Sequence, residues 1–150
     1  MKTDGIIFDV DGTLWDATQR IAEAYTVILE REKIEGKVIT ADMLASVMGL
    51  LNEDSAARLF PELSYEKRMR LIETCCEFEC EYLRKHGGRL YPHVEDTLEK
   101  LSARYPLYIV SNCQDGYIEA MFAVHDLQKY FRDYECSGRT GKAKFENLKS

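Results

Sequence analysis

The sequence predicts an α/β fold built on a parallel sheet, and three observations predict it. Ile6, Ile7, Phe8 and Val10 are apolar almost without a break, the pattern of a strand buried on both faces in the middle of a parallel sheet. Leu107-Tyr108-Ile109-Val110, opened by Pro106, is a second short run of the same kind. Between them, residues 17–88 read as helices, with apolar positions at helical spacing and no strand pattern.

The first run delivers two carboxylates, Asp9 and Asp11, into a Gly12-Thr13 turn. Ligand sites in open parallel sheets lie beyond the carboxyl ends of the strands, which is where these acids fall. Carboxylates this close resist joint ionisation unless a cation or hydrogen-bond donors stand between them. Mg²⁺ meets that need, since it takes oxygen ligands, keeps several waters and is shared by one or two carboxylates and a substrate phosphate. Asp9 is then placed to attack phosphorus as a nucleophile. Asp11 is placed to trade a proton with the leaving group and later with water. Gly12, without a Cβ, lets the backbone pass close to the ligand. An ordinary surface turn would also explain Asp-x-Asp-Gly, but the buried-strand run in front of it argues for a site. An EF-hand loop fails, because Leu14 stands where that loop needs Gly and Arg20 where it needs Glu.

Phe8-Asp9-Val10-Asp11-Gly12-Thr13-Leu14 resembles the first motif, Asp-x-Asp-Gly-Thr, of the haloacid dehalogenase-like hydrolases, most of which are Mg²⁺-dependent phosphatases. The resemblance implies that Asp9 is nucleophile and metal ligand. It also implies that Asp11 is the general acid/base and binds metal through its backbone carbonyl. The dehalogenases that named the family lack an Asp at the second position, so Asp11 favours phosphoryl chemistry. The implied fold is a Rossmann-like parallel core with an inserted α-helical cap. Residues 1–16 and 89–150 would form the core, and 17–88 the cap that closes over the site and chooses the substrate.

Composition sets limits on partners. With 26 acidic against 20 basic residues and net charge -6, the chain has no basic stripe and no aromatic-basic interleaving, so nucleic acid is not an expected partner. No apolar run approaches the roughly 18 residues of a membrane span, and Met-Lys-Thr-Asp-Gly has no signal-peptide layout. A cytoplasmic location is the expectation. The five cysteines, at 75, 76, 80, 113 and 136, are an odd count that suits a reduced compartment. Cys76 and Cys80 share a helical face, but with His86 or His93 they lack metal-site spacing, and core packing explains them better.

In order, the helical stretch opens with Ala17–Ile34, where Ile21, Ala24, Tyr25, Ile28 and Leu29 recur on one face. Gly36 interrupts it. Thr40 N-caps Ala41–Met48, which Gly49 closes. Asn52 N-caps Glu53–Phe60, with Pro61 beyond. Ser64–His86 is the longest helix, with Met69, Ile72, Cys76, Tyr82 and Leu83 inward, and Gly87-Gly88 end it. Charge runs such as Glu66-Lys67-Arg68 are solvated faces. A helix then spans Val94–Ala103, His93 at its start being structural. The strand Leu107–Val110 follows, then a helix over Tyr117–Val124 and a short strand over Tyr134–Cys136.

At the end of the second strand, Ser111-Asn112 can donate hydrogen bonds to a phosphate without adding charge. The pair resembles the family's second motif, which implies that Ser111 holds the transferring phosphoryl group with Asn112 beside it. Cys113 follows, with no sign of a lowered pKa. The stretch 136–144 is not a Walker loop, since Cys136 takes the first required glycine and Ala143 the final Ser/Thr. Gly-x-x-Lys-x-Glu-Asn at 141–147 resembles the third motif, whose Lys offsets the nucleophile and phosphate charges. Lys144 is favoured over Lys142 for that part, a solvated surface Lys being the plain alternative.

A fourth motif, an acidic pair on a later strand, has no counterpart, and Glu146 is the only carboxylate after Lys144. The chain therefore reads as C-terminally shortened. Such a piece is expected to leave the motif strand as an uncovered edge open to self-association, to bind Mg²⁺ weakly and to turn over slowly. The expected activity is a phosphatase acting on a small phosphorylated metabolite through an aspartyl phosphate, in the manner of the phosphoglycolate phosphatase-like members. A sugar phosphomutase is the rival within the family, weakened because Ile21 and Asn52 stand where mutases carry a His and an Arg. A phosphonate hydrolase would need an imine-forming Lys such as Lys33 or Lys37. A non-catalytic binding module or fragment is the remaining alternative. Substrate choice is expected to rest with the loop from Gly49 to Asp54.

Overall fold

The computed structural model describes residues 3–149. Strands β1 (Ile6–Phe8), β4 (Leu107–Ser111) and β5 (Asp133–Cys136) form a parallel sheet in the order β1-β4-β5. Ile6 pairs with Leu107 and Phe8 with Ile109, while Ser111 pairs with Cys136. A second, antiparallel pair joins β2 (Trp15–Asp16) to β3 (Arg89–Leu90). It ties together the two points where the chain leaves for the helices and returns from them.

Four helices fill the stretch between β2 and β3: α1 (Thr18–Arg31), α2 (Ala41–Ala45), α3 (Asn52–Leu59) and α4 (Tyr65–His86). After β3 come α5 (Val94–Ser102), α6 (Tyr117–His125), a 3₁₀ turn at Gln128–Tyr130, and two single-turn helices, α7 (Ser137–Thr140) and α8 (Lys144–Asn147). Helix α1 buries Ile21, Ala24, Tyr25, Ile28 and Leu29, the face its spacing predicts. Thr40 caps α2 through its hydroxyl, which accepts from the Met43 amide. The aromatic centre of the core is Trp15, fully buried, edge-on to Tyr117 at 5.4 Å and to His125 at 6.1 Å.

Several expectations change. Among the described residues strand β1 pairs only with β4, the uncovered edge expected of a shortened chain, but it is not buried on both faces, since Ile7 is 51% exposed. Ile6 and Phe8 pack against the core while Ile7 points to the open face, because successive strand residues alternate sides. Helix α1 stops at Arg31 rather than reaching Ile34, since Lys33 takes a left-handed φ of 55°. Helix α2 is shorter than expected, giving way to turns before Gly49. Asn52 lies inside α3, whose N-cap is Leu51, so its side chain is not the cap. Trp15-Asp16, the last residues before the helical stretch, form a strand. Gly88 is there for packing as well as for ending α4, since a Cβ on it would come within 2.7 Å of the Trp15 ring.

Candidate active site

The site forms where β1 and β4 end together. Beyond Phe8 the chain leaves the sheet, and Asp9 and Asp11 project from the bend on either side of buried Val10. The carbonyl of Val10 accepts from the amides of Thr13 and Leu14 at 3.2 and 2.8 Å, which closes the turn, and Gly12 fits it with a φ of 71°.

Asp9 is held from two sides. Its Oδ1 accepts from the Val10 amide at 2.9 Å, and its Oδ2 lies 2.6 Å from Nζ of Lys144, the first residue of α8. Lys144 rather than Lys142 is therefore the lysine at the first acid. Lys142 sits in the exposed loop before α8, its amide donating to the Thr140 hydroxyl at 3.1 Å.

Asp11 turns the other way. Its Oδ1 accepts from the Tyr117 hydroxyl at 2.5 Å. Burial pushes its pKa up to about 6; the Tyr117 hydrogen bond opposes that shift and the charge of Asp9 adds to it. The indole N–H of Trp15 makes no hydrogen bond of ordinary geometry, yet lies close enough to Asp11 to favour its charged form. An acid so poised exchanges protons near neutral pH.

Ser111 ends β4 and is 2% exposed, and its Oγ accepts from the Cys113 amide at 3.2 Å. Asn112 behaves as a clasp. Its Oδ1 accepts from the Ser137 hydroxyl at 2.9 Å and from the Lys144 amide at 2.7 Å, and its Nδ2 donates to the Gly49 carbonyl at 2.8 Å. One side chain thus joins the end of β4 to α7, to α8 and to the loop after α2. Its Oδ1 is taken up by two protein donors and its Nδ2 engages Gly49, a clasp that sequence reasoning did not foresee.

Beside Asp11 lies a cavity of about 60 Å³ that reaches from Asp11 and Tyr117 to residues of the helical stretch, among them Ile21, Asn52 and Glu79. Glu79 was missed in the sequence although its signal was there: it shares the α4 face of Ile72, Cys76 and Leu83. Cys75, Cys76 and Cys80 are buried in the core, and burial, with the charge of Glu79, raises their thiols. Cys113, beside Cys136, is likewise raised well above an ordinary thiol.

Among the described residues no three His, Cys, Asp or Glu side chains gather as a metal site. The groups that the family resemblance assigns to a metal here are the Asp9 carboxylate and the Asp11 backbone carbonyl, an all-oxygen pair. That fits Mg²⁺, which needs only one or two protein ligands when waters and a phosphate complete its shell.

The family model described as haloacid dehalogenase-like hydrolase matches residues 6–146. Phosphoglycolate phosphatase of Shigella dysenteriae is 28% identical over an alignment 146 positions long that covers 85% of this chain and 58% of that protein. The chain thus spans less than two thirds of the length of the curated relatives it matches. A haloacid dehalogenase-like hydrolase from Bacteroides fragilis superposes with a TM-score of 0.77 at 22% identity, covering 99% of this chain and 74% of that one. A hydrolase from Bacillus subtilis described as bound to magnesium gives 0.65 at 23% identity, over 99% of this chain and 73% of its own.

Proposed function

The chain belongs to the haloacid dehalogenase-like hydrolase family, and from that premise we propose that it carries the catalytic face of a phosphatase acting on a small phosphorylated metabolite. The observation that carries this reading is the ion pair of Lys144 with Asp9 at the end of β1, two residues from an acid with a pKa of about 6. Residues 1–16 and 89–150 are read as the core and 17–88 as the cap. The phosphoglycolate phosphatases it resembles support that substrate class. Among the described residues no helix is long and apolar enough to cross a membrane, and a cytoplasmic location is part of the same reading.

Asp9 attacks phosphorus; as its carboxylate oxygen bonds, the bond from phosphorus to the leaving oxygen breaks. Asp11 gives its proton to that oxygen, and an aspartyl phosphate remains on Asp9. Asp11, now a base, takes a proton from water, whose oxygen then attacks phosphorus and frees Asp9 and inorganic phosphate. Lys144 balances the charge of Asp9 and of the transferring group throughout. Ser111 offers its hydroxyl proton to a phosphate oxygen at the end of β4, and Asn112 keeps Lys144 in place. Mg²⁺, held by Asp9 and the Asp11 carbonyl, would supply charge neutralisation and fix the phosphate.

The mutase alternative stays weakened, since Ile21 and Asn52, which both line the cavity, stand where the family's mutases carry a His and an Arg. The test is phosphate release from a generic aryl phosphate and a panel of small phosphate esters with Mg²⁺. Turnover that Asp9→Asn abolishes supports the hydrolase. Turnover that survives Asp9→Asn overturns it, and protection by Mg²⁺ without product release would favour the binding module.

A further inference from the structure

Glu79 occupies a position where helices ordinarily bury apolar side chains. It is 4% exposed on the inward face of α4, and its Oε1 accepts a 2.8 Å hydrogen bond from Nε2 of Gln114, in the turn after β4. One partner comes from the helical stretch and the other from the sheet layer. Both line the cavity that Asp11 also lines. At about 60 Å³ the cavity holds roughly four or five water-sized groups, which suits a two-carbon chain with a polar atom at each end.

The lining is acidic and otherwise uncharged. Burial raises Glu79 to about 8, hydrogen bonding from Gln114 and, more weakly, from Tyr25 opposing the shift and Asp11 adding to it. Tyr25 and Cys76, both pushed well above their ordinary values, bring no charge. Among the described residues that line the cavity none is basic; Lys142 stands on an adjoining groove. A buried acid is costly unless it stays protonated or meets a cation.

We propose that Glu79 and Gln114 form the leaving-group subsite and that the group they select carries a protonated amine, so that the substrate is the phosphate monoester of a short amino alcohol. This rests on the hydrolase reading and narrows its substrate class. With Gln114 Nε2 engaged by Glu79, the Gln114 Oε1 and the second Glu79 oxygen remain able to accept from an ammonium. Glu79 releases its proton to solvent as the ammonium arrives, and the cavity gains the positive charge it lacks. A carboxylate end would meet Glu79 and Asp11 with no cation in the cavity. A hydroxyl end would leave Glu79 protonated and gain no charge pairing from it.

Three esters of matched length separate these cases: O-phosphoethanolamine, 2-hydroxyethyl phosphate and 2-phosphoglycolate. The expected kcat/KM for the amine ester exceeds both others by about tenfold or more, a ratio that Glu79→Gln brings to within about threefold and Gln114→Met lowers. Preference for either other ester, or a preference unchanged by Glu79→Gln, overturns the subsite. Gln114→Met decides the matter should Glu79→Gln not fold. The melting temperature of Asp9→Asn with each ester gives a readout without turnover. A shift specific to the amine ester sustains the subsite even if no ester is hydrolysed and the hydrolase reading falls. Turnover of aryl phosphate with no selectivity among the three, or no selective shift, overturns the subsite alone.

Discussion

Lys144 Nζ lies 2.6 Å from Asp9 Oδ2, so the last described helix of the chain reaches back to the end of its first strand. The Lys144 amide is itself held by Asn112 Oδ1 at 2.7 Å. Charge balance at the nucleophile thus depends on a residue at the end of β4. Lys144→Met is expected to lower kcat by about 100-fold or more, the scale of losing one charge-stabilising donor. Lys142→Met, with its side chain outside this contact, is expected to stay within about twofold of wild type. Steady-state kinetics on one aryl phosphate checks both.

Asn112→Ala removes the clasp without touching a charge. The expected result is a fall in kcat of about tenfold, because α8 and the Gly49 loop lose a common tether. Asn112→Asp, which keeps the two accepted bonds, should recover part of that loss.

Tyr117 holds the Asp11 pKa down by donating to its carboxylate. Tyr117→Phe removes that donor, so Asp11 rises above about 6 and keeps its proton to higher pH. The alkaline limb of kcat/KM, where Asp11 must still be protonated to serve the leaving group, is expected to move upward. A limb that stays in place or moves down would contradict this assignment of the acid.

The raised acids also set the pH dependence of stability. The folded-state pKa of Glu79, about 8, lies above its ordinary value of 4.5, so the folded chain binds that proton more tightly than the unfolded one. Its contribution is complete below about pH 4.5 and is lost as pH rises through 8. Asp11, raised to about 6, acts in the same direction at lower pH. Denaturant unfolding is expected to show a loss from Glu79 of about 3 kcal/mol between about pH 5.5 and 8.5. Glu79→Gln should flatten that part of the curve.

Gly138 packs directly against the turn after β4. A Cβ there would collide with the backbone of Gln114 and Asp115, which cannot move aside as a side chain would. Gly138→Ala is expected to destabilise by about 1–3 kcal/mol, read from the urea midpoint.

The strands and helices were legible where a single periodicity governed them, as in α1 and in Leu107–Val110. The acids at 9 and 11 stood out because polar residues interrupt a buried strand. Ile7 misled, since an apolar run reads as buried on both faces whether or not a neighbour covers the second one. The clasp by Asn112 was not legible, because its partners Gly49, Ser137 and Lys144 are distant in sequence. Glu79 was legible in principle as an acid in an apolar stripe, yet only the cavity shows what it faces. Asp11 and Tyr117 meet across the fold, and no local pattern announces that pairing.

The most direct measurement is chemical trapping at Asp9 during turnover, by acid quench and borohydride reduction followed by peptide mass spectrometry. A phosphorylated carboxylate is reduced to an alcohol, so the account predicts homoserine at position 9 in a substrate-dependent fraction that Asp9→Asn abolishes. Phosphate release with no reduced residue at position 9, or with the trap at another acid, would contradict it.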